Sequence, residues 1–388
     1  MTHTHVRIPI INCSFTLSEE VKHTLVFTLL RTFYLSVAGV FVPVFIYSSF
    51  GFQIMIFYLF MYYGLFYPLS VPLVKFLIRT KSVEYAQMLS IFTAILQIIF
   101  LNLIKDPWFL VVPAVFGGFT MSFYWIPKHL VFGIFGNRRQ VTEQYAFVSS
   151  LSFIISILGP VITSIFIYFF GYGVVFWSVS LILAVFSLFV FNSLRRKRRV
   201  YHGRKIRKKI KKFYPLFVLE GFGNALYLMA MLLVYFFTKD VVVYGGLTSM
   251  ATLFAVLTTL LISRWVDRKH DYAFGALGIL LRAHLFTILY LSLNPETVAF
   301  TMVALGLITA FVDTPCYGFL YNIVKKYGED VVYKRAYLLS VSGGLFFLAF
   351  LFVDLRIMLS LGAFITILLG FVYYLLSMSE EISEIKRK

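Results

Sequence analysis

Arg31, Lys128, His129, Glu220, Arg282, His284 and Asp313 are ionisable side chains set inside otherwise long apolar runs. Inside a bilayer such groups are costly unless they face water, a partner or a ligand, so each is a candidate for binding or proton transfer. Asp313 stands out because a short carboxylate about 13 Å from the inner end of its segment, at about 1.5 Å of rise per residue, cannot snorkel to the interface. Lys128 and His129 lie closer to an edge. The expectation is that Asp313, with His129, binds and releases a coupling proton. Arg31 and Glu220 fall at similar depths in two corresponding segments, so a salt bridge between them is expected. Tyr124, Trp125, Asn224 and Tyr317 are the neighbours placed to touch a substrate, although aromatic residues make up 19% of the chain and most must serve packing. Arg282 and His284 have no partner legible in the sequence.

Other chemistry is sparse. Seven histidines are scattered without metal-ligand spacing, and neither a phosphate-cradling glycine loop nor a nucleophile, base and acid cluster is recognisable. The expectation is therefore a protein without cofactor, metal or catalytic residues. A lipid-acting membrane enzyme would have Asp313 and His129 as its one acid and base pair. A non-transporting receptor or scaffold is the third reading.

The elements that must position these residues follow from composition. Of the 388 residues 60% are hydrophobic and only 13% charged, which leaves too little polar surface for soluble domains of this size. Apolar runs of about 20 residues, enough for a helix to cross the hydrocarbon core, recur along the chain. Twelve spans are predicted: Leu25 to Ile46, Ile54 to Ile78, Tyr85 to Leu103, Trp108 to Phe132, Tyr145 to Phe169 and Val174 to Leu194, then Phe213 to Phe237, Val241 to Ile262, Tyr272 to Leu291, Val298 to Asn322, Val332 to Val353 and Ile357 to Met378. Helices are required because lipid gives the backbone no hydrogen-bond partners.

The net charge of +18 is topological. With both termini cytoplasmic, 28 of the 35 Lys and Arg residues fall in the tails and inner connections and three in the outer ones, as the positive-inside rule requires. The predicted organisation is a cytoplasmic tail over 1–23, a six-helix bundle over 24–194, a basic cytoplasmic loop over 195–212, a second bundle over 213–378 and a cytoplasmic tail over 379–388. Twelve basic residues sit in the central loop, where they read as a contact with anionic lipid and not with nucleic acid. Ile206, Ile210 and Phe213 recur there at helical spacing, which predicts an interfacial helix. The leader lacks the features of a signal peptide, and Cys13 and Cys316 are expected to stay unpaired.

A shift of 188 residues lays the second half over the first. It places Pro127 on Pro315 and the Arg79-Thr80-Lys81 loop on Asp267-Arg268-Lys269. Duplicated halves with helix-breaking prolines in matching spans are a transporter signature.

At this point the sequence resembles the major facilitator superfamily in span count, six-loop-six layout and basic middle. The family's loop signature, Gly-x-Leu-x-Asp-Arg-x-Gly-Arg, is similar to Ser263-Arg264-Trp265-Val266-Asp267-Arg268-Lys269-His270-Asp271, which keeps Asp267 and Arg268 and loses both glycines. The first-half copy has Arg79 where the Asp would stand. A Gly-Pro motif in span five is similar to Gly159-Pro160-Val161-Ile162-Thr163-Ser164. The resemblance implies an all-α, pseudo-symmetric fold whose spans one, four, seven and ten line a central cavity. It also implies a gate stabilised by Asp267 and Arg268, and antiport or export through the Gly159-Pro160 motif. The resulting expectation is a monomeric plasma-membrane secondary transporter of a small molecule, driven by protons, with lipid or amphiphile export as the alternative.

Overall fold

The computed structural model describes residues 4–8, 13–137, 140–194, 208–269 and 272–385. The chain begins with a two-stranded antiparallel hairpin, β1 (Thr4–Ile8) and β2 (Cys13–Leu17), where the sequence reads as a plain polar tail. Every described element after it is helical. The first half comprises α1 (Glu19–Val37), α2 (Val42–Phe50), α3 (Phe52–Leu59), α4 (Tyr67–Thr80), α5 (Val83–Leu103), α6 (Val111–Phe135), α7 (Val141–Ser150) and α8 (Phe153–Leu194). The second comprises α9 (Tyr214–Thr238), α10 (Val241–Lys269), α11 (Phe274–Leu291), α12 (Pro295–Tyr327), α13 (Asp330–Ala349) and α14 (Leu355–Ile385).

Among the described residues, eleven helical stretches are long and apolar enough to cross a membrane. The longest, Val141–Val190, covers the fifth predicted span and most of the sixth. Its helical path is interrupted at Gly171, whose φ of 76° and ψ of 167° belong to a region that only glycine enters without strain. Helix starts are set by local chemistry. The side chains of Ser82 and Asn294 accept the backbone N–H groups of Tyr85 and Thr297, and Pro295 occupies the first turn of α12. Gly51 and Gly328, at φ 87° and 96°, stop α2 and α12.

Several helices run past their predicted limits. α12 continues to Tyr327, so Asp313 lies close to its midpoint, about 21 Å from its end at about 1.5 Å per residue. The basic connection over 195–207, including Ile206, lies outside the described residues. The remainder, Lys208–Phe213, is a 3₁₀ turn and not an α-helix. Ile210 and Phe213 are buried against the protein, Phe213 stacking on Phe217 and meeting Phe319 and Tyr327 edge-on. Both side chains therefore face protein and not a lipid surface, which corrects the interfacial-helix reading for the described part of the connection.

The two halves meet along α8 and α10, along α6 and α12, and along α13 against α4 and the segment before it. Large apolar side chains such as Phe169, Phe170, Leu181, Leu188, Phe189 and Phe364 remain exposed on the outside. So much exposed apolar surface is what lipid, not water, would cover.

Candidate functional site: a charged cavity between the halves

A cavity of about 370 Å³ lies between the halves, within the size range of small-molecule sites. Most of its wall comes from α9, α11, α12, α13 and α14, while the first half contributes Met121, Trp125 and His129 from α6 together with Tyr63 and Tyr67. Tyr63 belongs to a seven-residue π-helical segment, Phe60–Phe66, that interrupts the helix between α3 and α4. Such widened turns shift the side chains that follow and recur at functional sites. The sequence does not announce this one.

Four of the cavity-lining side chains are charged, and they form two pairs. Arg335 on α13 holds Glu220 on α9 bidentately, with Nε donating to Oε2 at 2.9 Å and Nη2 to Oε1. Parallel guanidinium–carboxylate bonds of this kind fix geometry as well as charge. Arg282 on α11 lies 3.9 Å from the Asp313 carboxylate and also faces the Tyr227 ring at 5.0 Å. This supplies the partner for Arg282 that the sequence left open. The predicted Arg31–Glu220 bridge does not form, because Arg335 enters from the neighbouring helix and saturates the carboxylate.

His129, Trp125, Asn224 and Tyr317 all line the cavity, as expected of site residues. His129 shares a hydrogen bond of 3.1 Å between Nδ1 and the Tyr321 hydroxyl, stacks on Trp125 and packs against Tyr317. No hydrogen bond joins it to Asp313 among the described residues. Arg31 and Tyr124 are not in the wall. They stand one layer behind it, Tyr124 donating to Thr28 Oγ1 at 3.3 Å and Arg31 meeting Met121 Sδ at 3.0 Å. Their helix faces are right, but Met121 and Trp125 occupy the surface in front of them.

Beyond this cavity, at either end, the halves touch again. At the end carrying the basic residues, Lys75 pairs with Asp330 at 2.7 Å and Arg79 with Glu329 at 2.6 Å, while Lys325 donates to the Gly136 carbonyl at 2.8 Å. The Asp267 carboxylate accepts the backbone N–H groups of Thr142 and Glu143 at the start of α7. The offset of 188 that sets Arg79 on Asp267 also sets Thr142 on Asp330. The two contacts are thus the same latch made twice, once with side-chain cations and once with a carboxylate on a helix N-terminus. Arg268, the other member of the gating motif, is exposed.

At the opposite end the contacts are aromatic. Tyr47 packs on Phe236 at 4.6 Å and on Tyr235, Phe52 meets Phe236, and Phe41 meets Tyr244. The Gly159-Pro160 motif lies on the seam between α1, α8 and α10. A Cβ on Gly159 would come within 2.8 Å of Ser36 Cβ, and one on Gly245 within 2.6 Å of the Pro160 carbonyl oxygen. Pro127 and Pro315 are buried inside α6 and α12, the two helices that close on one another below the cavity.

No protein-family model matches this sequence, and no curated protein matches it.

Proposed function

We propose that this chain is a twelve-span secondary transporter of the major facilitator layout, in which two six-helix halves rock about the cavity to move a small molecule. One observation carries the reading. A chamber with paired ions in its wall lies between two halves that also touch each other at both of its ends, which is what alternating access requires of a closed state. Counting the Gly171 break as a turn between two spans brings the eleven apolar stretches to twelve and returns both termini to the same side.

The basic end is then cytoplasmic, and the protein resides in the plasma membrane as a monomer with anionic lipid around its basic connection. Asp313, paired with Arg282 at the centre of α12, is the proton-coupling group, and His129 and Glu220 tune the same chamber. Export is the direction suggested by the Gly159-Pro160 motif. A second reading, export of a lipid or amphiphile, is favoured by the apolar part of the wall, with Leu216, Phe217, Leu228, Ile279 and Phe347 facing the cavity. Catalysis on lipid is the weaker case, since His129 is engaged by Tyr321 and Asp313 by Arg282.

The test is reconstitution into liposomes under an imposed pH gradient with a mixed metabolite panel. Solute movement driven by the gradient is expected, and Asp313→Asn should uncouple it from pH while the protein stays folded. A wild-type protein that moves nothing would remove the carrier reading, and undiminished proton coupling in Asp313→Asn would remove that residue's role.

A further inference from the structure

Charge is distributed unevenly around the cavity. In its wall the second half is balanced, Glu220 against Arg335 and Asp313 against Arg282. Behind the wall, the first half is not. Arg31 and Lys128 are 1% and 3% exposed, and no described carboxylate lies within 4.0 Å of either. The five acidic residues of the first half, Glu19, Glu20, Glu84, Asp106 and Glu143, all stand at helix ends.

What surrounds the two cations is aromatic. Arg31 faces the rings of Tyr34 at 4.7 Å and Tyr124 at 5.6 Å, and its Nε and Nη1 have no hydrogen-bond partner among the described residues. Lys128 faces Tyr145 at 4.7 Å, Trp125 at 5.1 Å and Tyr124 at 5.4 Å. Ring faces attract a cation but do not neutralise it. Each cation is one side chain from the chamber, Arg31 behind Met121 and Lys128 beside Trp125, and Tyr124 lies between them.

We propose that the molecule bound in this cavity is an organic anion, seated with its carboxylate or phosphate group toward the α1 and α6 wall and its apolar body toward α9 and α12. The inference rests on the transport reading for its physiological meaning, but the binding it describes stands alone. Two buried positive charges with no described carboxylate in contact, Asp313 acting on Lys128 only from a distance, leave the chamber with a positive field that is only weakly screened away from water. An anion relieves it. A cation of the same size meets both like charges, finds Glu220 held bidentately by Arg335, and reaches Asp313 only beside the Arg282 guanidinium 3.9 Å away. A flexible thioether such as Met121 is a barrier that moves easily, so Arg31 needs no backbone change to reach a ligand.

The experiment uses the purified full-length protein in detergent, with tryptophan fluorescence reporting on Trp125, and four probes of matched size: benzoate, phenyl phosphate, benzylammonium and benzyl alcohol. At least one of the two anions should bind saturably, at least about tenfold more tightly than the cation or the alcohol. Which anion wins distinguishes a carboxylate from a phosphate ligand. Lys128→Gln should weaken that anion by at least about tenfold, and Lys128→Arg should restore most of the loss, which a residue holding only the fold would not do. Because the selectivity is read on the wild-type protein, a variant that fails to fold leaves the test intact. Absence of an anion preference, preference for benzylammonium or benzyl alcohol, or unchanged affinity in a folded Lys128→Gln protein each overturns the proposal. Anion binding without transport would spare this inference and remove the carrier reading; transport confined to a cation would do the reverse.

Discussion

Glu143 donates its backbone N–H to the carboxylate of Asp267 at 2.7 Å, so the last turn of α10 caps the first turn of α7 across the seam between the halves. The bond joins a carboxylate to the positive end of a helix, and Asp267 itself is buried. Asp267→Ala would leave the N–H groups of Thr142 and Glu143 without an acceptor, at a cost of about 1–3 kcal/mol for the closed arrangement. Cys316 lines the cavity and reports its opening. In a Cys13→Ser background, Asp267→Ala is expected to speed modification of Cys316 by a polar maleimide added from the basic side. An unchanged labelling rate would show that this contact does not hold the cavity shut.

The matching contact in the other half is unequal in exposure. Arg79 is 46% exposed, whereas the Glu329 side chain it binds is fully buried. Arg79→Gln strands a buried carboxylate and is expected to cost about 3–5 kcal/mol, while Glu329→Gln frees an arginine into water and should cost clearly less. Thermal unfolding of the two purified variants decides it. Equal losses, or the reverse order, would mean that this pair behaves as an ordinary surface ion pair.

Two glycines touch where α13 crosses the π-helical segment. A Cβ on Gly344 would overlap Gly64 Cα, and one on Gly64 would lie 2.7 Å from Gly344 Cα. Backbone cannot step aside as a side chain does, so Gly344→Ala is expected to separate the helices and lose about 1–3 kcal/mol or more. Gly246→Ala, where a Cβ meets nothing within 4 Å, is the control and should be neutral or slightly stabilising. Similar melting temperatures for both variants would contradict the close approach.

Gly171 carries the span count. If it forms a turn between two crossings, Tyr172→Cys in a Cys13→Ser, Cys316→Ser background should react with an impermeant reagent from the side opposite the basic connection. Gly171→Ala forces an L-residue to φ 76° and is expected to cost about 1–3 kcal/mol. Protection of Tyr172→Cys from both sides would favour one continuous helix and an odd number of crossings.

Much of the cast of the cavity was legible from its chemistry. An ionisable side chain in an apolar run is conspicuous because lipid gives it nowhere else to go, and Glu220, Asp313 and His129 all reach the chamber. Their pairing was not legible. Arg335 reads in the sequence as one more basic residue near an inner loop, and only the packing of α13 against α9 brings it to Glu220. The π-helical segment that presents Tyr63 has no sequence signal either, since a widened turn depends on how α13 and α6 press on that helix.

By itself the sequence determined the solvent, the helical character and the placement of charge at one set of connections. These follow from transfer energies that each residue carries wherever it stands. Tertiary structure alone decided which arginine meets which carboxylate, that Arg31 and Tyr124 lie one layer behind the wall, and that Asp267 caps a helix from the other half. Those relations depend on distances of a few ångströms between residues on different helices, tens to hundreds of positions apart, and such distances are set by packing, not by composition.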